Sequence, residues 1–279
     1  MHQDVPAYYN QTQNHYKRWW QLDKSMALHY GLWYKDTTNF TEALENTNKH
    51  LASLANIVAD QKVLDAGCGV GGSAIYLAKN HGAHVTGITL SDLQVETAKT
   101  NAIKHNVGDK TEFTICDYAN THFKDNQFDL IWACESSSSA PDKVAFAREC
   151  YRLLKPGGKL VLSDFFRTAT TNENNYLLDK WVELWAMSSL VTNHSFAGTL
   201  EEEGFEINKN NNLTKNIIKT VKKMYLSYLF GAIPAILYNL VLGARKYSKY
   251  HYKSGFYQYK SLKQGLWEYR SLLAIKPKR

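Results

Sequence analysis

Between Lys62 and Phe166, short apolar runs alternate five times with helix-forming stretches, and nothing else in the chain limits its fold so strongly. KVLDAG (Lys62 to Gly67) and AHVTGITL (Ala83 to Leu90) are rich in Val and Ile, and each precedes a helical pattern, as in a βαβ unit. TEFTICD, FDLIWA and KLVLSDFF continue the series as strands. PDKVAFARECYRLL is the helix between the last two, started by Pro141 and closed by KPGG. Runs apolar on both faces belong in a parallel sheet covered by helices, so a doubly wound α/β core is expected.

After Arg167 the alternation lapses into a polar linker and the Trp-bearing NYLLDKWVELWAMSSL, until FAGTLEEEGFEI restores a helix and a strand. A second insertion runs from about Asn212 to Gln264, and WEYRSLLAIKP then returns to strand character as the seventh strand. The organisation read from this is a helical cap segment over 1–50, a core over 51–167, a cap insertion over 168–195, a core helix and strand over 196–213, an aromatic and basic insertion over 214–265 and a final core strand over 266–279. The cap is expected over the carboxyl edge of the strands, where ligands of open α/β sheets bind.

Of the 279 residues, 44% are hydrophobic and 21% charged, enough for a packed core without disulfides or structural metal. Cys68, Cys116, Cys134 and Cys150 stand alone, without the close pairs of a zinc or redox motif. That excludes a secreted disulfide scaffold and suits a reducing compartment. The amino terminus lacks the apolar core of a signal peptide, so a cytoplasmic location is expected. Charge is uneven: from Phe205 onward 15 Lys or Arg face only Glu206 and Glu268, a balance of +13, which leaves −6 for the first 204 residues.

VLDAGCGVGG puts Asp65 at a strand end and Gly67, Gly69, Gly71 and Gly72 in the turn before a helix beginning near Ser73. Glycines there let a ligand press on the backbone, and the helix start offers free amides. Dinucleotide enzymes use a similar loop, but an acid just before it repels a pyrophosphate and suits a cation bearing an amine. S-adenosylmethionine has both the amine and a sulfonium. A plain turn with Asp65 capping the helix is the alternative.

The run from Val63 to Phe166 resembles the cofactor domain of class I S-adenosylmethionine-dependent methyltransferases, a Rossmann-like fold with a seven-stranded, mainly parallel sheet. HYGLWYKDTTNF, GITLSDLQ and FDLIWACESSSSAPDKVAFARECYRLLKPGGKLVLSDFF are similar to the branch holding tocopherol and sterol side-chain methyltransferases and isoprenoid C-methyltransferases. The resemblance implies cofactor contacts from Asp65, Gly67, Gly69 and Gly71, and from Cys134 at the fourth strand's end. It assigns the adenine amino group to Asp117, beside Tyr118, although a turn-forming Asp reads the same way. Most relatives hold the ribose with an acid at the second strand's end, where this chain has Thr89; Leu90 and Gln94 are the implied substitutes, unless Ser91 only caps a helix and Gln94 is exposed.

Methyl transfer from a sulfonium is an in-line displacement, so alignment and exclusion of water matter most and no metal is obligatory. A base is needed only where the acceptor carries a proton. Glu135, directly after FDLIWAC, is the first catalytic candidate, either as a proton acceptor or as a hydrogen-bonding partner set back from the reaction. Relatives of the tocopherol type carry a histidine base where this chain has Ser139, which favours carbon methylation over deprotonation of a hydroxyl. Asp164 in LSDFF matches an acid that assists some relatives, or it caps a turn. His29, with Tyr30 in a segment that closes over the cofactor in relatives, is either a replacement base or structural.

From Tyr225 to Tyr269 there are nine tyrosines, with Phe230, Phe256 and Trp267, side chains that bury large surfaces and stabilise cations. A lipophilic acceptor is expected: an isoprenoid, a quinone or tocopherol-like ring, or a natural product. O- or N-methylation of a small aromatic metabolite is the alternative. The apolar run from Met224 to Ala244, flanked by Lys222, Lys223, Arg245 and Lys246, is long enough to span a membrane, but Pro234, Asn239 and three tyrosines interrupt it. A buried cap or peripheral membrane contact is the expected reading. Nucleic acid is not an expected partner, because the fourth strand leads into CESSSSAPD and not an (Asp or Asn)-Pro-Pro-aromatic run. A non-catalytic cofactor-binding scaffold is the remaining alternative.

Overall fold

The computed structural model describes residues 6–12, 20, 22–171, 174–242 and 247–278. Seven strands form one sheet: β1 (Lys62–Ala66), β2 (His84–Thr89), β3 (Thr111–Ile115), β4 (Phe128–Cys134), β5 (Leu154–Arg167), β6 (Glu206–Asn212) and β7 (Trp267–Ile275). Their order is β3-β2-β1-β4-β5-β7-β6. The strands from β1 to β5 pair in parallel, while β7 runs antiparallel between β5 and β6. The order reverses between β1 and β4, which opens a crevice at their carboxyl ends.

The expected strands are present, and WEYRSLLAI joins the sheet as β7. Burial on both faces explains the unbroken apolar runs: Ile131 and Ala133 of β4 enter one core while Leu130 and Trp132 enter the other. The polar strand β6, ending in Asn210, Asn211 and Asn212, forms one of the two edges. One boundary differs from the sequence reading. KPGG does not separate helix from strand, because β5 already begins at Leu154, and the register with β4 shifts between Phe128 and Leu130. Such an irregularity absorbs extra residues without ending the pairing.

Ahead of the sheet come α1 (6–12), α2 (Leu22–Ser25) and α3 (Phe40–Ala55), and helices α4 (Gly72–His81), α5 (Asp92–Lys104) and α6 (Lys143–Leu153) connect the parallel strands. The first turn of α5 is capped by Ser91, whose hydroxyl accepts from Gln94 N, and that of α6 by Asp142, which accepts from Val144 N and Ala145 N. Pro141 therefore lies just outside α6 and not in its first turn.

At the carboxyl end of the sheet a third core assembles from distant segments. Tyr8 of a short helix over 6–12, Trp20, Leu22, Tyr30 and Leu32 meet Trp181 of the helix Tyr176–Leu184. Ile217, Val221 and Met224 enter from the long helix Thr214–Leu242, and Phe165, Trp267 and Tyr269 from β5 and β7. The second insertion is thus mainly helical, with a further helix at Ser254–Lys263. No helix among the described residues is long and apolar enough to cross a membrane. Arg245 and Lys246 lie outside the described residues.

Candidate active site

The turn after β1 is shaped by two constraints. Gly67 N and Cys68 N both donate to Ile88 O of β2, at 3.0 and 2.9 Å, tying the turn to the neighbouring strand. Gly67 has φ +93°, and a Cβ there would stand 2.5 Å from the Cβ of Ser136, so only glycine fits. Gly67 and Gly69 line a cleft at the switch point. Gly71 does not line it, which corrects the expected cofactor contact. It sits at φ +86° ahead of α4, where an added Cβ would crowd Ala98 and Phe113, so its role is packing.

The cleft has two adjoining compartments that share Tyr9, Gly67, Gly69, Glu135 and Ser139. The outer one is bounded by Thr89, Leu90, Gln94, Cys116, Asp117, Tyr118 and Pro141 and encloses about 1170 Å³, its open mouth included. Gln94 is buried and not exposed, and its Oε1 accepts from Thr89 Oγ1 at 2.6 Å. Ser91 caps α5 at the same time, so the capping of the alternative reading is present while its exposed Gln94 is not. Asp117 likewise lines the cleft while its Oδ1 accepts from Ala119 N, forming a turn. Tyr118 donates to Ser136 O at 2.9 Å and packs edge-on to Phe146, and burial raises its hydroxyl pKa.

The inner compartment is lined by Asp65, Cys68, Cys134, Glu135 and His29, with Tyr8, Met26, Leu28, Phe165, Trp185 and Met187. Asp65 is 2% exposed. One oxygen is hydrogen-bonded by Ala74 N at the start of α4, whereas Oδ2 has no partner among the described residues. Burial pushes its pKa up to about 7. An unpaired buried carboxylate oxygen is costly to leave bare, and a cationic amine satisfies it. Across both compartments the described lining residues include Asp65, Asp117 and Glu135 but no Lys or Arg.

Glu135 follows β4 in the left-handed region, φ +53°, a conformation that costs a non-glycine residue roughly 1 kcal/mol. Its backbone N–H donates to Ser163 O, and its Oε1 accepts from Tyr30 N and from the Tyr269 hydroxyl, each at 2.7 Å. Burial raises its pKa to about 8, against the lowering effect of those two donors. Cys134 Sγ is 3.5 Å from Ser163 Oγ, and burial raises its thiol pKa as well. The Tyr269 hydroxyl also lies 3.0 Å from Ser163 Oγ. His29 Nδ1 is 3.0 Å from Tyr30 O. A carbonyl only accepts, so Nδ1 carries the proton and Nε2 presents a lone pair, without a partner among the described residues. Burial lowers the imidazole pKa to about 4, leaving it neutral at physiological pH.

Asp164 does not reach the cleft, a correction to its expected catalytic part. It is wholly buried, with Oδ2 accepting from Ser137 Oγ and Ser138 N and Oδ1 from Phe165 N. It holds the turn Ser137–Ser139 on which Ser139 meets the cleft, and Lys143 Nζ secures the same turn through the carbonyls of Ser137, Ser138 and Ala140. Strand alternation explains the error: Ser163 faces Tyr269 and Cys134, so its neighbour faces away. Sequence reasoning also missed Tyr9, which borders both compartments, and the particular role of Tyr269. Only the general expectation of a cap from the first 50 residues, and the count of aromatics, pointed toward them.

A parallel sheet with a glycine turn and a buried acid at its switch point defines a Rossmann-like protein built to hold a nucleoside cofactor. A family profile described as a methyltransferase domain matches residues 64–162. Over 138 residues the chain is 38% identical to 27-O-demethylrifamycin SV methyltransferase of Amycolatopsis mediterranei, covering 50% of this chain and 51% of that protein. Over 169 residues it is 33% identical to a sterol 24-C-methyltransferase of Saccharomyces cerevisiae, covering 61% and 43%. The chain thus spans about half the length of these curated relatives. Among solved structures, the cyclase SpnF matches with a TM-score of 0.82 and 22% identity, over 99% of this chain and 97% of that one. Geranyl diphosphate C-methyltransferase from Streptomyces coelicolor matches with a TM-score of 0.80 and 18% identity, over 98% and 96%. At such identities these two show the fold. Residues 64–162 are thus a methyltransferase domain of the class I S-adenosylmethionine-dependent kind, and its cofactor is S-adenosylmethionine. The bare Oδ2 of Asp65 and the absence of Lys and Arg from the described cleft walls fit that cation.

Proposed function

We propose that this protein methylates an uncharged, lipophilic small molecule, an isoprenoid, quinone-like or natural-product acceptor, with carbon as the favoured atom and Glu135 as the proton acceptor. The observation that carries the reading is Glu135 itself, a carboxyl group held by Tyr30 N and Tyr269 at the junction of the two compartments. The cofactor, when bound, supplies an electrophilic methyl group. Every other contribution comes from the chain. Asp65 and the glycine turn orient the ligand, and Tyr9, Met26 and Leu28 line the inner compartment against water. A carboxyl group with a pKa of about 8 changes protonation near neutral pH, as a proton acceptor must.

The acceptor's chemistry is read from the walls. Without Lys or Arg among the described lining residues, the cleft offers no counter-charge to a phosphorylated or carboxylated acceptor. Phe165 and Trp185 line it, backed by Tyr30, Trp181 and Trp267, with ring centroids 4.7 to 6.1 Å apart. Such a wall buries apolar surface and stabilises a developing carbocation. The lone pair of His29 Nε2 favours one second reading, in which this neutral imidazole deprotonates a hydroxyl acceptor.

The test is to incubate the protein with methyl-labelled S-adenosylmethionine and an extract of its source cells, then to partition the label among organic solvent, nucleic acid and protein. Label in the solvent phase supports the reading; label in either macromolecule overturns it. With the product in hand, Glu135→Gln should abolish turnover while cofactor affinity changes little. If His29→Ala abolishes turnover and Glu135→Gln does not, the hydroxyl reading replaces the carbon one.

A further inference from the structure

The helix Thr214–Leu242 buries one side and leaves the other bare. Ile217, Val221 and Met224 enter the aromatic core behind the cleft, and Tyr225 and Tyr228 stack on Tyr259 and Tyr252 of the segment that follows. On the opposite side Leu226, Leu229, Phe230, Ile233, Ile236 and Leu237 are 45 to 73% exposed. Their spacing of three or four residues sets them on one face of the helix. Among the described residues nothing covers them, and an apolar patch of this kind marks an interaction surface.

The charge on the same face says what it meets. Lys215, Lys219 and Lys222 continue the stripe at the same spacing toward the amino end, and all three are exposed. The chain has no Asp or Glu from residue 207 to 267, a stretch holding eleven Lys or Arg. A face basic in one half and apolar in the other complements a surface that is anionic outside and hydrocarbon within. A two-fold pairing of this face with itself supplies no acid to these lysines, because the face carries none. Nucleic acid supplies no apolar counterpart to the other half.

We propose that this face is a membrane-binding surface, on which Lys215, Lys219 and Lys222 engage anionic headgroups while the stripe from Leu226 to Leu237 enters the acyl boundary. The helix lies along the bilayer and does not span it. Its buried side joins the core behind the cleft, so the docked enzyme would hold that core next to the lipid.

The test is flotation of the full chain with vesicles of phosphatidylglycerol mixed with phosphatidylcholine and with vesicles of phosphatidylcholine alone. It needs neither cofactor nor acceptor, so its outcome is independent of the proposed reaction. Expected is binding to the anionic vesicles that weakens as salt rises, with much weaker binding to the zwitterionic ones. Burial of an apolar side chain is worth roughly a tenfold change in partition, so Phe230→Asp combined with Ile233→Asp should weaken binding about a hundredfold at an unchanged melting temperature. Lys219→Gln with Lys222→Gln should weaken anionic binding and flatten its salt dependence. Should the aspartate pair fail to fold, Leu229→Gln with Ile233→Gln serves the same purpose. No flotation with anionic vesicles overturns the proposal, as does undiminished flotation of the folded apolar-face variant. It is equally overturned by a concentration-dependent dimer that this variant abolishes without any vesicle binding.

Discussion

Replacing Tyr269 by Phe should raise the Glu135 pKa by about one unit, because the hydroxyl removed is one of the two donors that stabilise the carboxylate. It reaches Oε1 at 2.7 Å inside a core where Tyr269 itself has no exposure. A hydrogen bond to an ionised group contributes about 1.5–3 kcal/mol, and the lower end applies because the single Tyr269 hydroxyl proton is shared between Oε1 and Ser163 Oγ, 3.0 Å away. About 1.5 kcal/mol corresponds to about one unit, moving the group from about 8 to about 9. The ring still stacks on Tyr30 at 6.0 Å and leans on Phe165 at 5.3 Å, so packing survives. Titration of the carboxyl carbons by NMR in glutamate-labelled protein reads the shift without any substrate. Near neutral pH the ionised fraction should fall about tenfold, and methyl transfer limited by it should fall alike and recover at higher pH. A titration midpoint that stays in place, or moves down, refutes the account of Tyr269 as a stabiliser of the carboxylate.

Other consequences follow from the same geometry. Asp65 and Glu135 have folded-state pKa values of about 7 and 8, above their ordinary 3.8 and 4.5, so the folded protein holds more protons than the unfolded one up to about pH 8. Stability of the ligand-free protein should therefore fall as pH rises from 7 to 8, a window above the ordinary His29 value of 6.5, where its imidazole is mostly neutral in both states. Thermal melts across that window check the sign, and a rising Tm contradicts it. Gly67→Ala forces a Cβ to within 2.5 Å of Ser136 in a left-handed conformation and should cost roughly 1–3 kcal/mol while abolishing cofactor binding, as calorimetry would show. Asp164→Ala leaves Ser137 Oγ, Ser138 N and Phe165 N without their acceptor and should destabilise by roughly 3 kcal/mol in denaturant melts; because the Asp164 charge helps to raise the Glu135 pKa, the pH midpoint of any remaining activity should move down.

Much of the fold could be read from local pattern, because a parallel sheet buried on both faces needs unbroken apolar strands and leaves a periodic signal. The five strands between Lys62 and Phe166, the glycine turn and Asp65 are local features and lie where expected, although β3 passes to β4 without the helix that strict alternation predicted. Leu90, Gln94, Asp117 and Tyr118 all border the outer compartment, since each follows the carboxyl end of its strand. Asp164 misled because an acid near a strand end reads the same whichever face it takes, and only the pairing of β5 with its neighbours chose the face.

What the sequence by itself determined is the layered core, the cofactor turn and the presence of an aromatic, basic insertion, all of them consequences of spacing between near neighbours. The tertiary structure alone decided how the reaction site closes. Tyr30 and Tyr269 meet on Glu135 from 105 and 134 residues away, and Tyr9 arrives from the amino terminus. It also decided which side of the helix Thr214–Leu242 is buried, because an apolar stripe facing a core and one facing outward have the same spacing. Contacts between groups far apart in the chain depend on the assembled sheet and cap, and no local periodicity encodes them.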